Sequence, residues 1–192
     1  MVVVMTDTLL YEMRSYRVAD GRIDEELKRG FDCILSPSAG GRGLFDRYAI
    51  PPPVGLWRAM SGPHQPAVIF LYCWKSVTQR AQAFETFYVD PEWQALRADT
   101  NDGSEIVDWM DDILLRGPAS AVLPSDAIYE FTRGRPRQGT KVVMGPLVPL
   151  CGDNPLDLFI SVHEGPAFLA QANGSFDASR VLCRRIMSGG GA

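Results

Sequence analysis

The chain begins the same strand twice. Residues 9–18 read LLYEMRSYRV and residues 127–136 read AIYEFTRGRP, and each sets Tyr-Glu and an apolar residue in a short alternating run, Tyr11-Glu12-Met13 and Tyr129-Glu130-Phe131. A later apolar strand of matching texture follows each, FLYCWKS at 70–76 and FISVHEG at 159–165. Such self-similarity constrains a fold strongly, because each copy must build the same supersecondary unit. Two copies of one α+β unit in a single chain make a built-in pseudo-dimer, and the groove between them is the natural place for a site.

The first copy can be read element by element. Leu9, Tyr11 and Met13 alternate with Glu12, Arg14 and Tyr16, the period-2 pattern of a half-buried strand. Asp20-Gly21 turns the chain, and residues 23–35 place Ile23, Leu27, Phe31, Ile34 and Leu35 on one helical stripe. SPSAGGRG at 36–43 reads as a loop, and Pro51-Pro52-Pro53 stops any helix there. Residues 54–62 and 67–74 form a strand pair joined through His64. Residues 76–88 suit a helix with Ser76 as N-cap, and Asp90-Pro91 opens another. Residues 104–115 complete the unit as its last strand. The order β-α-β-β-α-β is ferredoxin-like. The second copy has strands near 127–133, 141–150, 156–163 and 180–187, a short helix near 166–173, and only PRQG where its first helix would stand. It is a trimmed repeat.

Composition narrows the function. At 192 residues and 46% apolar content the chain can bury a real core. A net charge of −4 argues against a nucleic-acid binder, which needs a basic face. The basic run at 133–141 reads as a solvated loop. Cys33, Cys73, Cys151 and Cys183 form no C-x-x-C pair, which fits a reduced, cytoplasmic setting. MVVVMTDTLL carries neither a basic leader nor a membrane span. P-loop, nucleophile-elbow and dinucleotide fingerprints are absent.

Three segments together, YEMRSYRVADGRIDEEL (11–27), VGLWRAMSG (54–62) and DPEWQALR (90–97), resemble the NIPSNAP family of the dimeric α/β-barrel superfamily. The resemblance covers about residues 9–116. It implies ferredoxin-like units, 1–116 and a truncated 127–192 joined by a linker at 117–126, whose sheets face each other in a dimeric-α/β-barrel-like body. The overall expectation is α+β, two fused ferredoxin-like units. Pairing of whole chains into a homodimer stays open. Where family members often carry a histidine and then a tryptophan on the third strand, this chain has Phe70 and Tyr72. Relatives in the wider superfamily include monooxygenases, isomerases and cyclases, whereas NIPSNAP-like proteins are often described as interaction or trafficking proteins.

In such a barrel one sheet face packs on helices and the other lines the cavity. Leu9, Tyr11 and Met13 are expected against the helices, with Glu12, Arg14 and Tyr16 pointing into the barrel. Trp57, Tyr72, Trp74, Ser161 and His64 are expected to shape the pocket. His163 is the candidate general acid or base, Arg14 a holder of carboxylate or enolate, and Glu12 its support. The expected ligand is a small hydrophobic, ring-bearing molecule in the barrel cavity, acted on without a cofactor. No metal is expected, because His163 and Glu164 point to opposite faces of a strand and His64 lies in a turn. The rival readings are a non-catalytic binder and a barrel filled by its own side chains.

Overall fold

A computed structural model describes residues 8–119, 123–124, 127–136, 138–150, 156–163 and 180–188. The alternating first run forms β1 (Thr8–Val18). Helix α1 (Ile23–Ile34) follows, its first turn carrying Asp24, Glu25 and Glu26 at the positive end of the helix dipole. The expected loop holds a 3-10 turn at Pro37–Ala39, and a four-residue helix, α2 (Leu44–Arg47), follows it. A segment that short has no periodicity to read, and burial of Leu44 and Phe45 is what fixes it. Strands β2 (Gly55–Ser61) and β3 (Ala67–Trp74) form the expected pair. Ser76 caps α3 (Val77–Phe87) by accepting the Gln79 N–H, and Asp90 caps α4 (Pro91–Asn101) by accepting the Trp93 N–H. Then come β4 (Val107–Pro118), β5 (Ile128–Arg133), β6 (Lys141–Pro149), β7 (Leu158–His163) and β8 (Arg180–Ser188). No helix separates β5 from β6 among the described residues. The helix expected near 166–173 and Cys151 lie outside them.

All eight strands close into one antiparallel barrel in the order β1-β3-β2-β8-β5-β7-β6-β4. It divides into two sequential blocks, β4-β1-β3-β2 and β8-β5-β7-β6, and the second repeats the strand order of the first. Register repeats too. Glu12 lies opposite Tyr72 and Leu10 opposite Trp74, as Glu130 lies opposite Ser161 and Ile128 opposite His163. The blocks meet at two seams. One runs along β2 and β8 from Gly55–Ser188 to Ser61–Leu182, and the other joins β4 to β6 at Leu115–Pro149 and Arg116–Val148.

The two faces of the sheet are the reverse of the sequence expectation. Tyr11 and Met13 point into the barrel, where they share a core with Trp57, Leu71, Phe131 and Ile160. Tyr16 instead belongs to the outer layer, with Phe70, Tyr72 and Trp74, packed under the helices. Glu12 and Arg14 share that outer face by alternation. In the second block Ser161 and His163 alternate with Ile160 and Val162, so they too face outward. Period-2 alternation separates two faces but does not say which is inside when both are buried. An eight-stranded barrel is just wide enough for side chains to fill it. Here the Trp57 ring meets Phe131 at 5.0 Å and Tyr129 at 5.5 Å between centroids. The interior is packed core where a ligand cavity was expected, and Trp57 is part of that packing.

Candidate functional site

Most of the open volume lies outside the barrel. A cleft of about 500 Å3 separates the outer face of β1 and β3 from the helices. Its floor is Arg14, Tyr16, Phe70 and Tyr72; α1 contributes Glu26 and Arg29, and the aromatic side chains of α3 and α4 close it. Gly30 keeps the α1 wall low, since a Cβ there would already touch the Phe70 ring at 3.5 Å. Phe84 lies flat against the Arg14 guanidinium, 4.2 Å from its carbon to the ring centroid.

Beneath the floor sits a network of two acids and two arginines. Glu12, fully buried, accepts the Trp74 indole N–H at 2.6 Å and an Arg80 N–H at 2.7 Å. Arg14 Nε lies 3.1 Å from Glu12 Oε1 but makes no aligned hydrogen bond, so that contact is electrostatic only. Arg80 also binds Asp112, and Arg14 Nη2 lies 3.4 Å from the same carboxylate. Arg14 donates to the Tyr88 hydroxyl at 3.0 Å. Burial opposes the charge on Glu12, but bonds from Arg80 and Asp112 and the nearby Arg14 hold its pKa below the usual value. Asp112 goes the other way, pushed up to about 6 by burial and by the neighbouring Glu12. Burial also opposes the Arg14 charge, yet Tyr16, Tyr88, Glu12 and Asp112 more than offset it, so Arg14 stays a cation.

Three carboxyls line the cleft, Glu26, Glu105 and Asp108, and Glu26 is the buried one. It is buried on α1, bonded to Arg29 one turn on, and burial outweighs that partner to raise its pKa to about 7. Tyr16 and Tyr72 are held neutral by burial, and the Cys33 thiol is pushed up to about 12 by the same cause.

Apart from Trp57 in the barrel core, the sequence candidates divide into three places. Glu12, Arg14, Tyr16, Tyr72 and Trp74 gather in and under the cleft of the first block. His163 and Ser161 lie in the second block, where His163 Nε2 is 2.8 Å from Glu130 and Thr132 donates to Glu130 at 3.1 Å. Three strand positions separate β1 from β7 by the shorter way round the barrel, so His163 does not converge on Arg14 as expected. His163–Glu130 stands at the register position of Trp74–Glu12: a ring nitrogen against a buried glutamate, with imidazole in place of indole. His64 is elsewhere again, stacked on Trp109 at 4.5 Å beside one mouth of the barrel.

Sequence reasoning missed Glu26, Arg29, Arg80 and Asp112. Glu26 carried a signal, a charge on the buried stripe of α1 three residues after Ile23. Asp112 carried none, because only strand pairing sets it opposite Arg14. Among the described residues no three His, Cys, Asp or Glu side chains gather as a metal site. No helix among them is long and apolar enough to cross a membrane.

The family model for NIPSNAP matches residues 11–121, more than half of the chain and nearly all of the first block. The chain belongs to the NIPSNAP family. Among solved structures it is similar to a NIPSNAP domain protein from Burkholderia xenovorans, with 26% identity over 60% of this chain and 98% of that one, at a TM-score of 0.43. A NIPSNAP family protein of unknown function from Agrobacterium tumefaciens matches at 18% identity over 60% and 94% of the two chains, with a TM-score of 0.46. A putative chlorite dismutase matches at 11% identity over 95% of this chain and 97% of that one, with a TM-score of 0.48. No curated protein matches the chain.

Proposed function

We propose that this NIPSNAP protein binds a small hydrophobic, ring-bearing molecule in the cleft between β1–β3 and the helices, and acts on it by proton transfer through its own side chains. The observation that carries this reading is the cleft itself. A volume of about 500 Å3 lined by aromatic rings with a few convergent polar groups is what a ring-bearing ligand needs. Glu26 supplies the chemistry. A carboxyl whose pKa lies at about 7 can take a proton from an activated carbon and return it at another, the step of an isomerase or cyclase. The monooxygenase alternative has no support of this kind. His163 does not line this cleft, so its expected catalytic role forms no part of the proposal.

A second reading, non-catalytic carriage, is favoured by a specific observation. The cleft arginines Arg14, Arg29 and Arg97 each pair with a carboxylate already, which leaves a nearly neutral, greasy slot. The repeated strand order and register support the further proposal that the chain is two fused ferredoxin-like units, 1–116 and 127–192. The free thiols of Cys33, Cys73 and Cys183 fit a reduced, cytoplasmic location, which we add as part of the same proposal.

Native mass spectrometry on the full chain, beside a denaturing run, tests the binding. A small organic mass lost on denaturation, and lost again in Gly30→Leu, is the expected result. A clean apo mass after incubation with a panel of phenols and cyclic ketones sinks the reading. Glu26→Gln then separates catalysis from carriage. It should keep the ligand but stop incorporation of solvent deuterium into it; unchanged incorporation removes Glu26 from the mechanism.

A further inference from the structure

We infer that one mouth of the barrel is a second binding site, which takes a small carboxylate with a short alkyl tail. Strands β1 and β5 run in the same direction round the antiparallel barrel, so their C-terminal ends share one rim. By alternation Ser15 and Arg17 continue the inward face of Tyr11 and Met13, and Arg133 continues that of Tyr129 and Phe131. The hollow they enclose holds about 170 Å3. Met13, Ile69, Phe131 and Leu158 form its apolar floor, and Arg17, Arg133 and Asp111 its rim. That volume is below the ~300–1,000 Å3 of sites for drug-sized ligands, so a fragment fits and a larger ring system does not.

The rim carries one cation in excess. Arg133 Nη2 pairs with Asp111 at 3.2 Å. Arg17 is exposed and, among the described residues, makes no side-chain hydrogen bond or ion pair. An arginine without a carboxylate above an apolar well is the complement of an amphipathic anion, head outward and tail down. One wall is the stacked pair His64–Trp109, held there by a turn in which His64 adopts a left-handed φ of 61°. Trp109 also lines the large cleft, so the two hollows share a wall while offering different chemistry, near-neutral in one and cationic in the other.

Calorimetric titration of the full chain with hexanoate and with 1-hexanol tests the site. Hexanoate should bind saturably and more tightly than the alcohol. Arg17→Gln should weaken hexanoate about fivefold and leave the alcohol unchanged, a loss of the size expected for an exposed charge pair. Raising the salt to 0.5 M should erase most of the difference between the two ligands. Gly30→Leu, which fills the other cleft, should not affect hexanoate. Equal binding of acid and alcohol, no effect of Arg17→Gln, no saturable binding, or loss of hexanoate in Gly30→Leu would each overturn the assignment.

Discussion

Glu12 is the residue on which the outer layer of the first block depends. It is wholly buried and holds its charge because Trp74, Arg80 and Arg14 surround it. Removing one member of such a group leaves the others buried and unpaired. Glu12→Ala should therefore cost about 3–5 kcal/mol of unfolding free energy, read from the urea midpoint. Glu26 and Asp112 have the opposite character. Their folded pKa values, about 7 and about 6, lie above the values near 4 of an unfolded chain. The folded state therefore holds these protons more tightly, and their contribution to stability is full below about pH 4 and lost as the pH rises through 6 to 7. The depressed Glu12 works in reverse and loses its contribution as the pH falls below its unfolded value. Unfolding of Glu26→Gln at pH 5 and pH 8 checks this. The variant should be less pH-dependent than the parent over that interval, and an unchanged slope would mean Glu26 titrates normally.

At the scale of single elements, capping and close packing carry the argument. Ser76 accepts the Gln79 N–H at 3.0 Å and Asp90 the Trp93 N–H at 2.8 Å. Ser76→Ala should cost about 1 kcal/mol. Asp90→Ala should cost more, because Asp90 also accepts the Tyr48 hydroxyl and so ties α4 to the end of α2. These helix starts were legible in the sequence because a cap is a local device: one side chain meets an N–H three residues on. The Gly-x-Trp strand is local in the same sense. A Cβ at Gly55 would overlap the Trp57 ring, and that ring is wholly buried with no room to move. Helix α2 was not legible, because four residues held by the burial of Leu44 and Phe45 depend on what they land against.

The whole molecule rests on two seams of unequal length. The β2–β8 seam runs the whole length of β2, whereas β4 and β6 pair only near Leu115–Pro149 and Arg116–Val148. Hydrogen exchange should release the amides of β6 that face β4 before those of β8 that face β2. Gly117 guards the shorter seam, since a Cβ there would overlap Leu147, which is fully buried in the barrel. Gly117→Val should lower stability by about 1–3 kcal/mol through overpacking and speed exchange along β4–β6 first. A uniform rise in exchange would instead mean that the barrel opens as one unit.

The sequence by itself determined the repeated Tyr-Glu strand, the succession of strands and helices in the first block, and the helix caps at Ser76 and Asp90. Each of these is written in residues a few positions apart, or in direct likeness between segments. Tertiary structure decided which face of β1 is inside. Tyr11 and Met13 fill the barrel, while Glu12 and Arg14 lie under the helices, because a narrow closed barrel leaves no room to solvate charge. It also decided the partners. Arg80 reaches Glu12 from 68 residues away, Asp112 meets Arg80 from 32 residues further on, and His163 meets Glu130 across a β-ladder. Such meetings follow from the closure of the sheet, and alternation along one strand carries no information about them.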